Sequence, residues 1–275
     1  MASLDKLPPE LLLLIAEDLD SAGDVLALIR ACRRIHPLLS PLLLSLALSH
    51  PANLKTGDTV LHFSAKSNNL RLASYLLSHR VPVSPPNNAK WTPLHLAALH
   101  DHVDLARILL EHGAAVNISF ETFGSTPLHR VYSSQMAELL IAFGADVTAK
   151  NFLNQTPLHT ACSLGLTEVV QVLIEHGGGD VVYYDRDRIT QLDLAVKSGE
   201  AGVVKLVLES SCGPQLLGRG GEDILRRAAK MGFADVVKVL LDAGLDVEEM
   251  PYRRKRANSR WRRVRGGMLL FLRRS

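Results

Sequence analysis

The chain has 275 residues, 31 Lys or Arg against 28 Asp or Glu, and a formal net charge of +3; that length admits one or two domains, and the overall balance singles out no charged partner. Three scattered cysteines, Cys32, Cys162 and Cys212, with no CxxC pair, exclude a disulfide framework and fit a reducing compartment. The leucine run from Leu38 to Leu48 is broken by Pro41, short of the roughly 20 apolar residues a bilayer span needs, and no cleavable leader is legible, so a soluble protein, cytoplasmic and/or nuclear and free of membrane contact, is expected.

Residues 1–50 read as a separate helical module. Leu7-Pro8-Pro9-Glu10 opens a helix whose Leu11, Leu12, Ile15 and Leu19 share one face. Asp20 to Asp24 breaks the chain, Ser21 or Asp24 can cap a second helix, and a third can follow Pro37 or Pro41. Three short helices make a small bundle that is marginal alone. The opening Leu7-Pro8, Glu10, Leu11-Leu12, Ile15, Leu19, then Asp24, Leu28 and Cys32-Arg33-Arg34 resemble the F-box family, with a departure at Ile35, where many members carry tryptophan. The resemblance implies docking onto the Skp-type adaptor of a cullin ubiquitin ligase, through Leu7, Pro8, Leu11, Ile15 and Leu19. The other reading of the same residues is a bundle core, or a capping helix for the repeats that begin near residue 57.

From residue 57 a phrase repeats. Thr92-Pro93-Leu94-His95, Thr126-Pro127-Leu128-His129 and Thr156-Pro157-Leu158-His159 are full copies; Thr59-Val60-Leu61-His62, Thr190-Gln191-Leu192-Asp193 and Asp223-Ile224-Leu225-Arg226 are eroded ones. The intervals are 33, 34, 30, 34 and 33 residues. In the copy from Trp91 to Asn117, Thr92 caps a helix, Pro93 takes its first position, and Leu94, Ala97 and Ala98 form a small apolar face. A turn at His100-Asp101-His102 leads to a second helix with Val103, Leu105, Ala106, Ile108, Leu109 and Leu110 on its core side, closed by Gly113, and an extended finger comes after it. Fixed self-similarity near 33 resembles the ankyrin family. The match is clear in the second, third, fourth and sixth copies. It is weaker in the first, where Arg80 stands for the cap glycine, and weakest in the fifth, where Ser211 does. The third copy is about three residues short around Ser133-Ser134, so a tighter turn between its helices is expected.

The expected fold is therefore all-α: an ankyrin-repeat solenoid of about six helix-turn-helix units with finger loops, preceded by a small three-helix F-box-like bundle. The units are placed at 57–89, 90–123, 124–153, 154–187, 188–220 and 221–249, within an array spanning 57–249.

Four histidines, His62, His95, His129 and His159, recur once per unit. Stacked units lie about 10 Å apart, too far for shared metal ligation near 2 Å, so each imidazole is expected to tie its own helix turn to the next unit. No nucleophile elbow, phosphate-binding glycine loop or HExxH occurs, and neither enzyme activity, cofactor nor metal is expected. The finger tips are more telling. Trp91, Phe120, Phe123, Phe152, Tyr183 and Tyr184, with Arg186 beside them, are candidates for contact with a target protein. Residues 250–275 hold ten Lys or Arg and no acid, leaving the preceding chain at 21 basic against 28 acidic residues. A disordered tail is favoured there over nucleic-acid binding.

The function these features imply is a substrate-recognition subunit of a Skp-cullin-F-box ubiquitin ligase, the first module docking the adaptor and the array holding an unknown target. The alternative is a plain ankyrin scaffold whose N-terminal helices only cap the solenoid.

Overall fold

A computed structural model describes residues 57–119, 123–180, 182–218 and 221–245. The F-box-like module with Leu7, Pro8, Leu11, Ile15 and Leu19, the basic tail and Phe120 lie outside the described residues. Among the described residues there are twelve α-helices, one 3-10 turn and no strand. In chain order they are α1 Val60–Ser67, α2 Leu70–Ser78, α3 Pro93–Leu99, α4 Val103–Glu111, the 3-10 turn Pro127–Arg130 and α5 Ser134–Ala142. Then come α6 Pro157–Leu164, α7 Thr167–Glu175, α8 Gln191–Ser198, α9 Ala201–Glu209, α10 Gly213–Gly218, α11 Gly221–Met231 and α12 Ala234–Asp242.

Each hairpin starts as the phrase dictates. Thr59, Thr92, Thr126, Thr156 and Thr190 are N-caps in extended conformation, each closing a capping box with the residue three positions on. Proline follows at the first helical position in three of the five, where its missing N–H costs nothing. Asn68, Gly165 and Gly199 end α1, α6 and α8 in the left-handed conformation.

The chain divides after Phe152 into two compact units. In the first, α1 packs on α3 and α3 on the 3-10 turn, while α2 packs on α4 and α4 on α5. First helices thus form one layer and second helices another. Leu61, Leu76, Leu94, Leu105, Leu109, Leu128, Met136 and Leu140 are fully buried between them. In the second unit, α6, α8 and α11 form one layer and α7, α9 and α12 the other. Its core combines leucines, among them Leu173, Leu192 and Leu240, with the valines Val169, Val170, Val203 and Val204. A lone hairpin could not bury its apolar stripe; neighbour-on-neighbour packing does so.

Two local expectations are corrected. The shortfall in the third copy is not absorbed by a tighter turn at Ser133-Ser134. It comes out of the first helix, which shrinks to the 3-10 turn and leaves it at Val131 in extended conformation. Leu128 stays fully buried, so the layer keeps its core contact with half the backbone. In the fifth copy the short helix α10 follows Ser210–Cys212 and takes the place expected for a finger. Gly213 is required there, because a Cβ would overlap the Leu208 carbonyl group.

Candidate partner-binding face

The recurring histidines each brace their own helix turn, and the expected tie to the next repeat is seen for His62 and His95. In His62, His95, His129 and His159, Nδ1 accepts the backbone N–H of the cap threonine, at 3.0, 3.2, 3.2 and 3.2 Å. That puts the ring proton on Nε2. His62 Nε2 then donates to the Trp91 carbonyl at 2.9 Å and His95 Nε2 to the Ser125 carbonyl at 3.3 Å, each in the next repeat. Burial pushes the His62 imidazole below its ordinary range and takes His95 down to about 4, with Arg130 and His62 also disfavouring charge on His95. In the eroded fifth copy Asp193 plays the cap role, and its second oxygen accepts from Arg227 at 2.9 Å. An ion pair there replaces the imidazole–carbonyl tie.

These joints fix the loops that precede each cap. Asn87 closes its finger with Oδ1 accepting from the N–H groups of Ala89 and Trp91, and with its own N–H donating to the Trp91 carbonyl. Asp185 does the same with Asp187 and Ile189. Two residues before each cap threonine the backbone is left-handed: Gly57, Lys90, Gly124, Asn154 and Arg188 occupy that position.

In the first unit the face so built gathers three of the residues singled out from the sequence. Phe123 and Phe152 are 48% and 53% exposed, and the Phe152 N–H donates to the Phe123 carbonyl at 2.8 Å. The Phe152 ring lies against Gly124, whose missing Cβ would sit 2.5 Å from it. Trp91 is half-buried, its ring 5.9 Å from that of His95. The Arg130 guanidinium, which sequence reasoning missed, stands 6.0 Å from the ring centres of both Trp91 and Phe123. The signal was present, because Arg130 immediately follows a Thr-Pro-Leu-His phrase whose other residues are buried.

Two hollows flank the Asn87–Trp91 finger. One, of about 360 Å³, is lined by Pro86, Lys90, Thr92, Ile118, Ser119 and Phe152. The other, of about 490 Å³, is lined by residues including Asp58, Lys66, Asn88, Trp91, Leu96 and Leu99. Asp58 is buried and its carboxylate is held by Lys66 at 2.6 Å and Asn87 at 2.7 Å.

In the second unit Tyr183 and Tyr184 are half-buried and Arg186 is exposed. Their finger is pinned by Arg186 N–H to the Leu153 carbonyl and by Asn154 Nδ2 to the Tyr184 carbonyl, both at 3.0 Å. Among the described residues, no group of three or more His, Cys, Asp or Glu is placed to hold a metal ion. Cys162 and Cys212 are buried, and burial raises the Cys162 thiol far above its ordinary range, so it serves packing and not nucleophilic attack. No described helix is long and apolar enough to cross a membrane.

A family model described as "Ankyrin repeats (3 copies)" matches residues 28–120 and 117–185. The chain is 28% identical to the B-cell lymphoma 3 protein homolog of Mus musculus over 224 residues, covering 77% of this chain and 49% of that protein. It is 28% identical over 160 residues to the Saccharomyces cerevisiae protein "Probable 26S proteasome regulatory subunit p28", covering 56% and 70% respectively. Among solved structures, the ankyrin repeat domain of Bcl-3, titled as a unique member of the IkappaB protein family, aligns with TM-score 0.58 at 28% identity, over 70% of this chain and 88% of that one. The chain thus spans about half the length of the mouse relative.

Proposed function

We propose a function from one premise: this chain belongs to the ankyrin-repeat family, protein-interaction modules rather than enzymes. It holds a target protein on its helical array and, through residues 1–50, docks on the Skp-type adaptor of a cullin ubiquitin ligase. Conjugation chemistry belongs to other subunits, and the chain acts by raising the target's effective concentration near them. Capture is supported by one observation above others: Phe123 and Phe152 stand exposed on a face whose backbone is pinned by hydrogen bonds. Rigid exposed aromatics are what protein interfaces use as anchors. Docking is supported by the F-box-like letters Leu7-Pro8 to Cys32-Arg33-Arg34.

A pull-down of the full chain with purified Skp adaptor tests the docking half. Binding that is lost when Leu7 and Pro8 are both changed to Ala is the expected result; a wild-type chain that does not bind removes the ligase reading.

A second reading is favoured by one finding. The ankyrin match begins at residue 28, inside the segment assigned to the F-box-like module. Residues 28–50 then serve as an N-terminal cap on the array, and the protein is a scaffold. Deleting residues 1–50 separates the two readings. A docking module can be removed with the array's melting unchanged, whereas a lost cap leaves an apolar end exposed and lowers it.

A further inference from the structure

We propose that the finger face of the first unit binds an extended acidic segment of a partner protein, seating a bulky apolar side chain against Phe152 and Ile118 and carboxylates against Lys90 and Arg130. The assignment rests on the capture role proposed above and gives that role its chemistry.

Four observations converge. The first is a cation kept where the backbone does not want it. Lys90 sits at φ +61° and is exposed, while the equivalent places hold Gly57 and Gly124 in the neighbouring repeats and Asn154 and Arg188 in the later ones. A lysine in that conformation is strained relative to glycine. Local stability therefore does not explain it, and a charge presented at the finger tip does.

The second is Arg130. Its planar group is steadied by the two rings 6.0 Å away, which lowers the rotamer freedom that a long side chain normally loses on binding. The third is the apolar seat. The hollow of about 360 Å³ is bounded by Pro86, Ile118 and the half-exposed Phe152, with Lys90 at its side.

The fourth is charge. Among the described residues lining the two hollows, the single carboxylate is Asp58, and it is buried against Lys66. Lys90 is then an exposed cation with no acid among the described residues of its hollow, which disfavours a basic segment there. An extended segment suits the site because Lys90 lines one hollow and its neighbour Trp91 the other, so an occupant of both must cross the finger. A nucleic acid fits poorly, since its affinity comes from many phosphate contacts and these seats are mostly apolar.

The probe is a fluorescein-labelled decapeptide alternating Asp or Glu with Phe, titrated against the full chain by anisotropy. Two controls carry Lys for every acid, or Ser for every Phe. The acidic aromatic probe is expected to bind, to weaken with added salt as screening shortens, and to exceed both controls. Lys90→Glu and Arg130→Glu are each expected to weaken it about tenfold, and Arg71→Glu on α2 to leave it unchanged. Lys90→Gly provides a readout that a structural role would not produce: melting temperature rises while probe affinity falls. Equal binding of the acidic and lysine probes overturns the assignment, as does parent-like binding by both reversal variants with native melting. Failure of the probe with adaptor binding intact removes this site alone. Failure of adaptor binding with probe binding intact removes the ligase reading and leaves this site standing.

Discussion

At the scale of single residues, one histidine in each of the first two repeats serves two elements at once. His95 holds the start of α3 through Nδ1 and reaches the next repeat through Nε2, and it can do both only while neutral. Burial lowers its pKa from the ordinary 6.5 to about 4. The unfolded chain therefore binds a proton that the folded chain refuses between those values, and stability falls as pH drops from about 6.5 toward 4. The shift corresponds to about 3 kcal/mol at most. Urea unfolding at pH 7 and pH 4.5 is expected to show the loss, and His95→Gln to flatten the slope. Gln191 presents the opposite case. It is fully buried, both polar atoms of its amide lack a hydrogen-bond partner, and it stands where three other repeats have proline. Thr190 before it has ψ 169°, a value that proline tolerates in its predecessor. Gln191→Pro is expected to stabilise the chain by roughly 1–2 kcal/mol, seen as a higher melting temperature.

At the scale of elements, the joints between helices can be weakened separately from the helices. Asp193 caps α8 and also takes Arg227 from α11. Asp193→Ala removes both roles and is expected to cost about 1–2 kcal/mol. Arg227→Ala removes only the ion pair, and with Arg227 45% exposed it should cost less than about 1 kcal/mol. A double-mutant cycle in urea checks the difference. The core responds more strongly. Leu109 on α4 is fully buried, so Leu109→Ala is expected to cost about 3 kcal/mol. Leu164 at the end of α6 is 50% exposed, and Leu164→Ala should change stability little.

At the scale of the whole molecule, cohesion runs from neighbour to neighbour, so damage should stay local. α4 packs on α2, α3 and α5. Hydrogen exchange on Leu109→Ala is expected to show the largest loss of protection in those helices and the 3-10 turn. An equal loss of protection in α8, α9 and α12 would mean that the chain unfolds as a single cooperative body.

What the sequence determined by itself is whatever acts within a few residues. The Thr-Pro-Leu-His phrase specifies a capped helix start by local hydrogen bonds, and the spacing near 33 specifies copies of one hairpin. The candidates Trp91, Phe123 and Phe152 were legible because bulky aromatics interrupt loops that are otherwise polar. Contacts between residues some thirty apart carry no such local mark. The 3-10 turn at Pro127–Arg130 arose from how the neighbouring layer accommodates a missing stretch of chain, and Arg227 meets Asp193 across 34 residues. Arg130 comes to stand between Trp91 and Phe123 only after the repeats pack, and the left-handed backbone of Lys90 is imposed by the finger's hydrogen bonds and not by the lysine. Local sequence determined where helices begin, since a cap needs only its own turn; packing decided which side chains face one another, since that depends on the relative positions of separate hairpins.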